Sequence, residues 1–129
     1  MRTPVIAGNW KMYNTIQESV ALVRGLKKEI DGVKNVEVVV APVYTSLGAV
    51  VAEAKGSAIK VAAQNMHWED KGAFTGEIAP AMLKDAGCTH VIIGHSERRQ
   101  YFAETDATVN KKVMAALKAG LAPIMCVGE

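Results

Sequence analysis

Val91-Ile92-Ile93-Gly94-His95-Ser96-Glu97-Arg98-Arg99 is the stretch that decides the fold. A short, uninterrupted apolar run is the signature of a strand buried on both faces, which is how strands of a parallel sheet are placed. The run ends in a glycine and opens at once into five polar residues. A second stretch repeats the design: Val5-Ile6-Ala7-Gly8 runs into Asn9-Trp10-Lys11. Both polar clusters should therefore sit at strand C-termini, where barrel and open α/β proteins place their chemistry. The expectation is an enzyme.

Working outward, strand-like runs alternate with helix-like patterns. Pro4–Trp10 reads as the first strand. Thr15-Ile16-Gln17-Glu18 is a capping box, ahead of apolar positions at Ile16, Val20, Val23, Leu26 and Ile30. Val36–Ala41 is a second strand, ended by Pro42. Thr45 or Ser46 can cap a helix through Leu47, Val50, Val51 and Ala54, with Gly56 at its C′ position. Ser57–Gln64 is a third strand, followed by the irregular segment Asn65–Gly76, in which Gly72 and Gly76 bracket Ala73-Phe74-Thr75. Pro80 suits the first turn of a short helix ending at Gly87. Thr89–Gly94 is the fourth strand. Thr105 caps a helix through Val109, Val113, Ala116 and Leu117, closed by Gly120, and Leu121–Val127 is the fifth strand.

This β-α alternation calls for a parallel sheet with right-handed crossovers, in a single domain over 1–129. The pattern alone fits either an open doubly wound sheet or part of a (β/α)8 barrel. No GxGxxG or GxxxxGK[ST] loop follows the first strand, which weighs against nucleotide binding.

Composition narrows the partners. Half of the 129 residues are hydrophobic and the formal net charge is +2, without the basic excess expected of a nucleic-acid or membrane-surface binder. Lys27-Lys28 and Lys111-Lys112 fall on helices and read as solvated faces; only Arg98-Arg99 adjoins a candidate site. No signal peptide is recognisable, and no apolar run approaches the ~20 residues that span a bilayer. Cys88 and Cys126 lack metal-ligand spacing and read as small buried hydrophobes in a reducing cytoplasm.

Two residues stand out chemically. His95 precedes a short helical turn, and a helix N-terminus disfavours an imidazolium, so the ring should stay neutral and donate a hydrogen bond. A neutral imidazole can polarise a carbonyl. Lys11 and Asn9, two apart on an extended segment, project to one side. An ammonium there attracts an anionic substrate and stabilises developing negative charge. His67 reads as a loop residue, His90 as packing or surface, and Glu69-Asp70 as a solvated loop face.

Taken together, Ala7-Gly8-Asn9-Trp10-Lys11-Met12, Gly72-Ala73-Phe74-Thr75-Gly76-Glu77, Gly94-His95-Ser96-Glu97-Arg98-Arg99 and Cys126-Val127-Gly128-Glu129 resemble the triosephosphate isomerase family, in its order and at similar separations. A (β/α)8 barrel takes ~250 residues. The resemblance therefore covers the first half of a TIM barrel, through its fifth strand.

The resemblance implies interconversion of dihydroxyacetone phosphate and glyceraldehyde 3-phosphate through an enediol(ate), with no metal or organic cofactor. It implies that His95 is the electrophile moving protons between the substrate oxygens. Lys11 is implied as electrostatic stabiliser and substrate anchor, Asn9 as a second substrate-binding residue, Glu97 as the partner of Lys11, and Ser96 as support. Phe74, Thr75 and Gly76 would form a loop reaching into a second subunit, with Thr75 beside the partner's Asn9 and Lys11, in a cytoplasmic homodimer. Ala79 departs from the capping serine familiar before Pro80, a difference worth ~1 kcal/mol of stability.

The same resemblance places the glutamate base, the closing lid and the later phosphate loops beyond Glu129. Glu97 and Glu129 do not match the base position, so chain 1–129 alone should be inactive unless a C-terminal half-barrel complements it. The first and fifth strands would be free edges, and the inward side chains would lack an opposite wall. The alternative is a non-catalytic half-barrel that assembles with a second copy of itself. A different phosphosugar barrel enzyme is a more distant one.

Overall fold

The computed structural model describes residues 1–128; Glu129, the last residue of the fourth motif, lies outside the described residues. Five strands alternate with five helices: β1 (Val5–Asn9), α1 (Ile16–Glu29), β2 (Glu37–Ala41), α2 (Leu47–Ala54), β3 (Ile59–Ala63), α3 (Pro80–Ala86), β4 (His90–Ile93), α4 (Ser96–Tyr101), α5 (Asp106–Ala119) and β5 (Ala122–Met125). A 3-10 turn at Tyr44–Ser46 leads into α2.

The local signals act where the sequence puts them. The Thr15 hydroxyl accepts from the Glu18 amide and the Glu18 carboxylate accepts from the Thr15 amide, which satisfies two orphan donors at the start of α1. Thr105 does the same for α5 with Thr108. Ala79 supplies no side-chain cap; its amide donates instead to Met82 Sδ at 3.4 Å.

Strand order settles the fold class. The strands pair in parallel and in chain order, β1-β2-β3-β4-β5, with Ala7 opposite Val39, Val39 opposite Lys60, Ala62 opposite His90, and Val91 opposite Pro123. A doubly wound sheet must reverse its order at a switch point. This one never does. It is a curled half of a parallel β/α barrel.

Alternation along the strands divides the sheet into two faces. Val40, Val61, Ala63, Val91 and Ile93 pack against the helices, meeting Val23, Val50, Leu83, Val109 and Ala116. On the concave side Val39, Ala41, Ala62 and Ile92 form a second cluster with Ile124 and Cys126. The expectation that inward residues lose their cover fails here, because these four are all 5% exposed or less. Two of them are alanines, and the curl of the sheet shields short side chains from both sides. The exposed apolar surface lies at the free edges instead: Ile6 on β1 is 63% exposed and Met125 on β5 is 52% exposed. No helix among the described residues is long and apolar enough to cross a membrane.

Candidate active site

The site is built from two strand ends. At the end of β1 the chain turns sharply. The Trp10 amide donates to Ala41 O at 3.0 Å, and the Lys11 amide donates to Asn9 Oδ1 at 2.9 Å. Lys11 has φ +53°, in the left-handed region that L residues enter at a cost of roughly 1–3 kcal/mol. Gln64, immediately beyond β3, holds that conformation: its amide nitrogen donates to both Lys11 O and Ala41 O at 2.8 Å. Both donors of one side-chain amide are thus spent on the turn. Gln64 was invisible to pattern reading, which assigned it only to a strand end.

At the end of β4, Gly94 has φ +77°, and a Cβ there would meet Val109 at 3.0 Å. The turn it makes sets His95 as the N-cap of α4. His95 Nδ1 accepts a hydrogen bond from the Glu97 amide at 3.1 Å. A ring nitrogen that accepts carries no proton, so the neutral ring holds its proton on Nε2.

The two strand ends meet through charge. Lys11 Nζ lies 2.7 Å from Glu97 Oε1, while Glu97 Oε2 stands 3.6 Å from His95 Nδ1. The hydrogen bond to Glu97, and then its negative charge, push the Lys11 ammonium above the ordinary lysine range. Reciprocally, the hydrogen bond from Lys11 holds the Glu97 carboxyl below the usual carboxylate range. Both side chains are about half exposed. Asn9, Lys11, His95 and Glu97 share one cleft of about 510 Å³, rimmed by Tyr13, Tyr44, Tyr101 and Phe102.

The other sequence candidates lie elsewhere. Ser96 lines a neighbouring cleft with Arg99, Asp106 and Met125. Phe74, Thr75 and Gly76 are exposed on the loop after β3 and line no part of the Lys11–His95 cleft. Among the described residues no group of three or more His, Cys, Asp or Glu side chains converges as a metal site would.

One sequence reading needs correction. Lys112 is not on a solvated face: it is 5% exposed, and its ammonium contacts Glu104 Oε1 at 2.7 Å and Asn65 Oδ1 at 2.9 Å. Arg98 Nε completes the pairing at 3.2 Å from Glu104 Oε2. A lysine so deep in the fold needs such partners. This network stands directly behind the cleft, since Arg98 and Asn65 also line it. The Tyr44 hydroxyl holds Asn65 from the other side, donating to its backbone oxygen. His90, which spacing left without a partner, is buried on the concave side with its Nε2 2.8 Å from Glu37 and its Nδ1 2.7 Å from Thr89 Oγ1. Burial outweighs the Glu37 charge and moves the His90 ring below the ordinary imidazole range.

A curled parallel β/α half-barrel with an ammonium and an imidazole brought together from the C-termini of β1 and β4 defines a barrel protein with a polar site at its mouth. Comparison with known proteins specifies the family. The model of the family described as triosephosphate isomerase matches residues 4–129. The triosephosphate isomerase of Trichlorobacter lovleyi is 59% identical over all 129 residues, and those of Citrifermentans bemidjiense and Moorella thermoacetica are 60% and 59% identical. The crystal structure of triosephosphate isomerase from Bartonella henselae superposes with a TM-score of 0.92 at 44% identity, covering 99% of this chain and 53% of that one. The chain belongs to the triosephosphate isomerase family. It spans about half the length of the curated relatives it matches, 51% in each of the three just named.

Proposed function

We propose that this chain supplies the electrophilic side of a triose phosphate isomerase site. One observation carries the reading: His95 Nδ1 accepts from the Glu97 amide, which leaves Nε2 as the donor. A donor so fixed can hydrogen-bond the carbonyl oxygen of dihydroxyacetone phosphate or glyceraldehyde 3-phosphate. As a base removes the proton beside that carbonyl, negative charge gathers on its oxygen. The imidazole then gives up its Nε2 proton to that oxygen and takes one from the neighbouring hydroxyl, carrying the enediol(ate) from one carbonyl position to the other. The Lys11 ammonium stabilises the charge and anchors the phosphate-bearing substrate. Asn9 shapes the binding surface through its bond to the Lys11 amide, and Glu97 keeps the ammonium charged and in place. Ser96, in the first turn of α4, supports the His95 turn. The chemistry uses no metal or organic cofactor.

The base must be a carboxylate aimed at the substrate carbon. Glu97 is committed to Lys11 at 2.7 Å, so that base and the lid come from a C-terminal half of the barrel. Residues 1–129, acting as one domain, are expected to be inactive alone. In the complete enzyme, a cytoplasmic homodimer, Phe74, Thr75 and Gly76 would dock beside Asn9 and Lys11 of a second copy. The exposed Ile6 and Met125 at the free strand edges favour a second reading, a non-catalytic half-barrel that self-associates.

Complementation decides between the two. Mixed with a separately produced C-terminal half of a relative, the chain should regain triose phosphate turnover in a coupled assay. His95→Gln should then lower turnover by about 100-fold or more. Failure of every such half to restore turnover, with both partners folded, would favour the non-catalytic assembly.

A further inference from the structure

We propose that His67 is the positioning residue of the loop after β3, fixing the shape in which Phe74 and Thr75 are presented before any partner arrives. His67 is 8% exposed, an unusual depth for a side chain at the foot of a surface loop. Its ring lies against two others in tilted contacts, with centroids 4.2 Å from Trp68 and 4.6 Å from Phe74. Its Nδ1 faces Glu77 Oε2 at 3.5 Å, and its amide donates to Ile78 O at 2.8 Å. One residue thereby ties the entry of the loop to its exit and to its tip. Glu69 and Lys71 are the other charged residues around the small cavity that His67, Phe74 and Glu77 enclose.

The tip is built to accept that ring stack. The Phe74 amide bonds Gly72 O at 3.0 Å, and the Glu77 amide bonds Phe74 O at 2.9 Å. Gly72 has φ +142°, and a Cβ there would lie 2.9 Å from the Phe74 ring. The Gly72–Phe74 contact thus leaves no room for a side chain at 72. Phe74 keeps one face on His67 while remaining partly exposed. Backbone hydrogen bonds and the His67–Phe74 ring contact hold the arch together. The interaction surface it offers is an apolar ring beside a hydroxyl, and the occupant it fits is the aromatic-rimmed cleft of a second copy. That last step rests on the interface reading given above; the His67 arch itself does not.

Limited trypsin digestion of the 129-residue chain tests the arch, because cleavage of a folded protein tracks the open population of each site. Lys71 sits in the loop, and the exposed Lys34 after α1 serves as internal reference. The Lys71–Gly72 bond should be cut about tenfold more slowly than Lys34–Asn35, the size expected of two aromatic contacts. His67→Ala should remove most of that protection. Gly72→Ala, an exposed change that spares the core, should do likewise by pushing Phe74 off His67. His67→Phe, which keeps the stack, should retain it within about threefold. Equal cutting at the two sites in the unaltered chain, or a Gly72→Ala variant still as protected as the parent, would overturn the proposal. Sedimentation of the complemented enzyme tests the interface reading separately, since a complemented enzyme that carries only one copy of this chain sinks that reading while leaving the digestion result to stand.

Discussion

Two lysine–carboxylate pairs of this molecule have the same length and opposite character. Lys11 and Glu97 meet at 2.7 Å at the mouth of the cleft, with side chains 48% and 42% exposed. Lys112 and Glu104 meet at 2.7 Å behind it, 6% and 2% exposed. Distance therefore says nothing about what either pair is for. The outer pair is screened by water, and at such exposed sites an ion pair contributes little to stability. The inner pair, with Arg98 and Asn65, must stay fully matched, because a buried charge stripped of its partner costs about 3–5 kcal/mol. The molecule separates its adaptable electrostatics from its structural electrostatics by one layer of side chains.

The sharpest way to break this contrast is Lys112→Met. It leaves Glu104 buried with Arg98 alone, and urea denaturation should show a loss of about 3 kcal/mol. A loss below about 1 kcal/mol would mean that Arg98 suffices and that the inner pair is no more structural than the outer one. Gln64→Leu should come next. The Lys11 carbonyl loses its Gln64 donor and the Ala41 carbonyl keeps only the Trp10 amide, at a cost of about 1–3 kcal/mol. In the complemented enzyme the same change should lower turnover more than it lowers stability, because the Lys11 turn is what it frees.

Lys11→Ala should leave the urea midpoint nearly unchanged, yet abolish most of the turnover regained on complementation. A large fall in both would erase the distinction. The smallest effect is a titration. Because the Glu97 carboxyl is held low by Lys11, the pair's contribution is present above the ordinary carboxylate value of 4.5 and is lost as pH falls through the folded value. Carbon NMR of the Glu97 carboxyl should show that depression shrinking as salt rises from 0.01 to 1 M, since screening acts on exposed pairs. An unchanged value in high salt would place the outer pair in a drier setting than its exposure indicates.

The legibility of the sequence follows the same division. The strand ends were readable because an apolar run breaking into Asn9-Trp10-Lys11 or His95-Ser96-Glu97 changes character at one residue, and the caps at Thr15 and Thr105 mark where helices begin. Lys112 was misread because a charged residue on a helix defaults to solvent. Its position nevertheless carried a signal: 109, 112, 113 and 116 form one helical stripe, and Val109, Lys112 and Ala116 are all buried. Gln64 offered no comparable clue, since its role depends on two carbonyls that only the β1–β2 and β2–β3 pairings bring within reach. Nor did His90, whose partner Glu37 lies two strands away.

The strictly sequential strand order has a thermodynamic corollary. Each β-α unit leans chiefly on the unit before it and the unit after it, as the pairing of β1 with β2 through β4 with β5 makes plain. A chain organised this way behaves like a short one-dimensional array, whose cohesion is a sum of nearest-neighbour couplings. Such arrays fray from their ends and hold longest in the middle. β2, β3 and β4 have a neighbour on each side, while β1 and β5 have one. Among the described residues His95 follows a strand with a neighbour on each side and Lys11 a strand paired only with β2, so in the 129-residue chain taken by itself the imidazole stands on the better-braced part of the sheet.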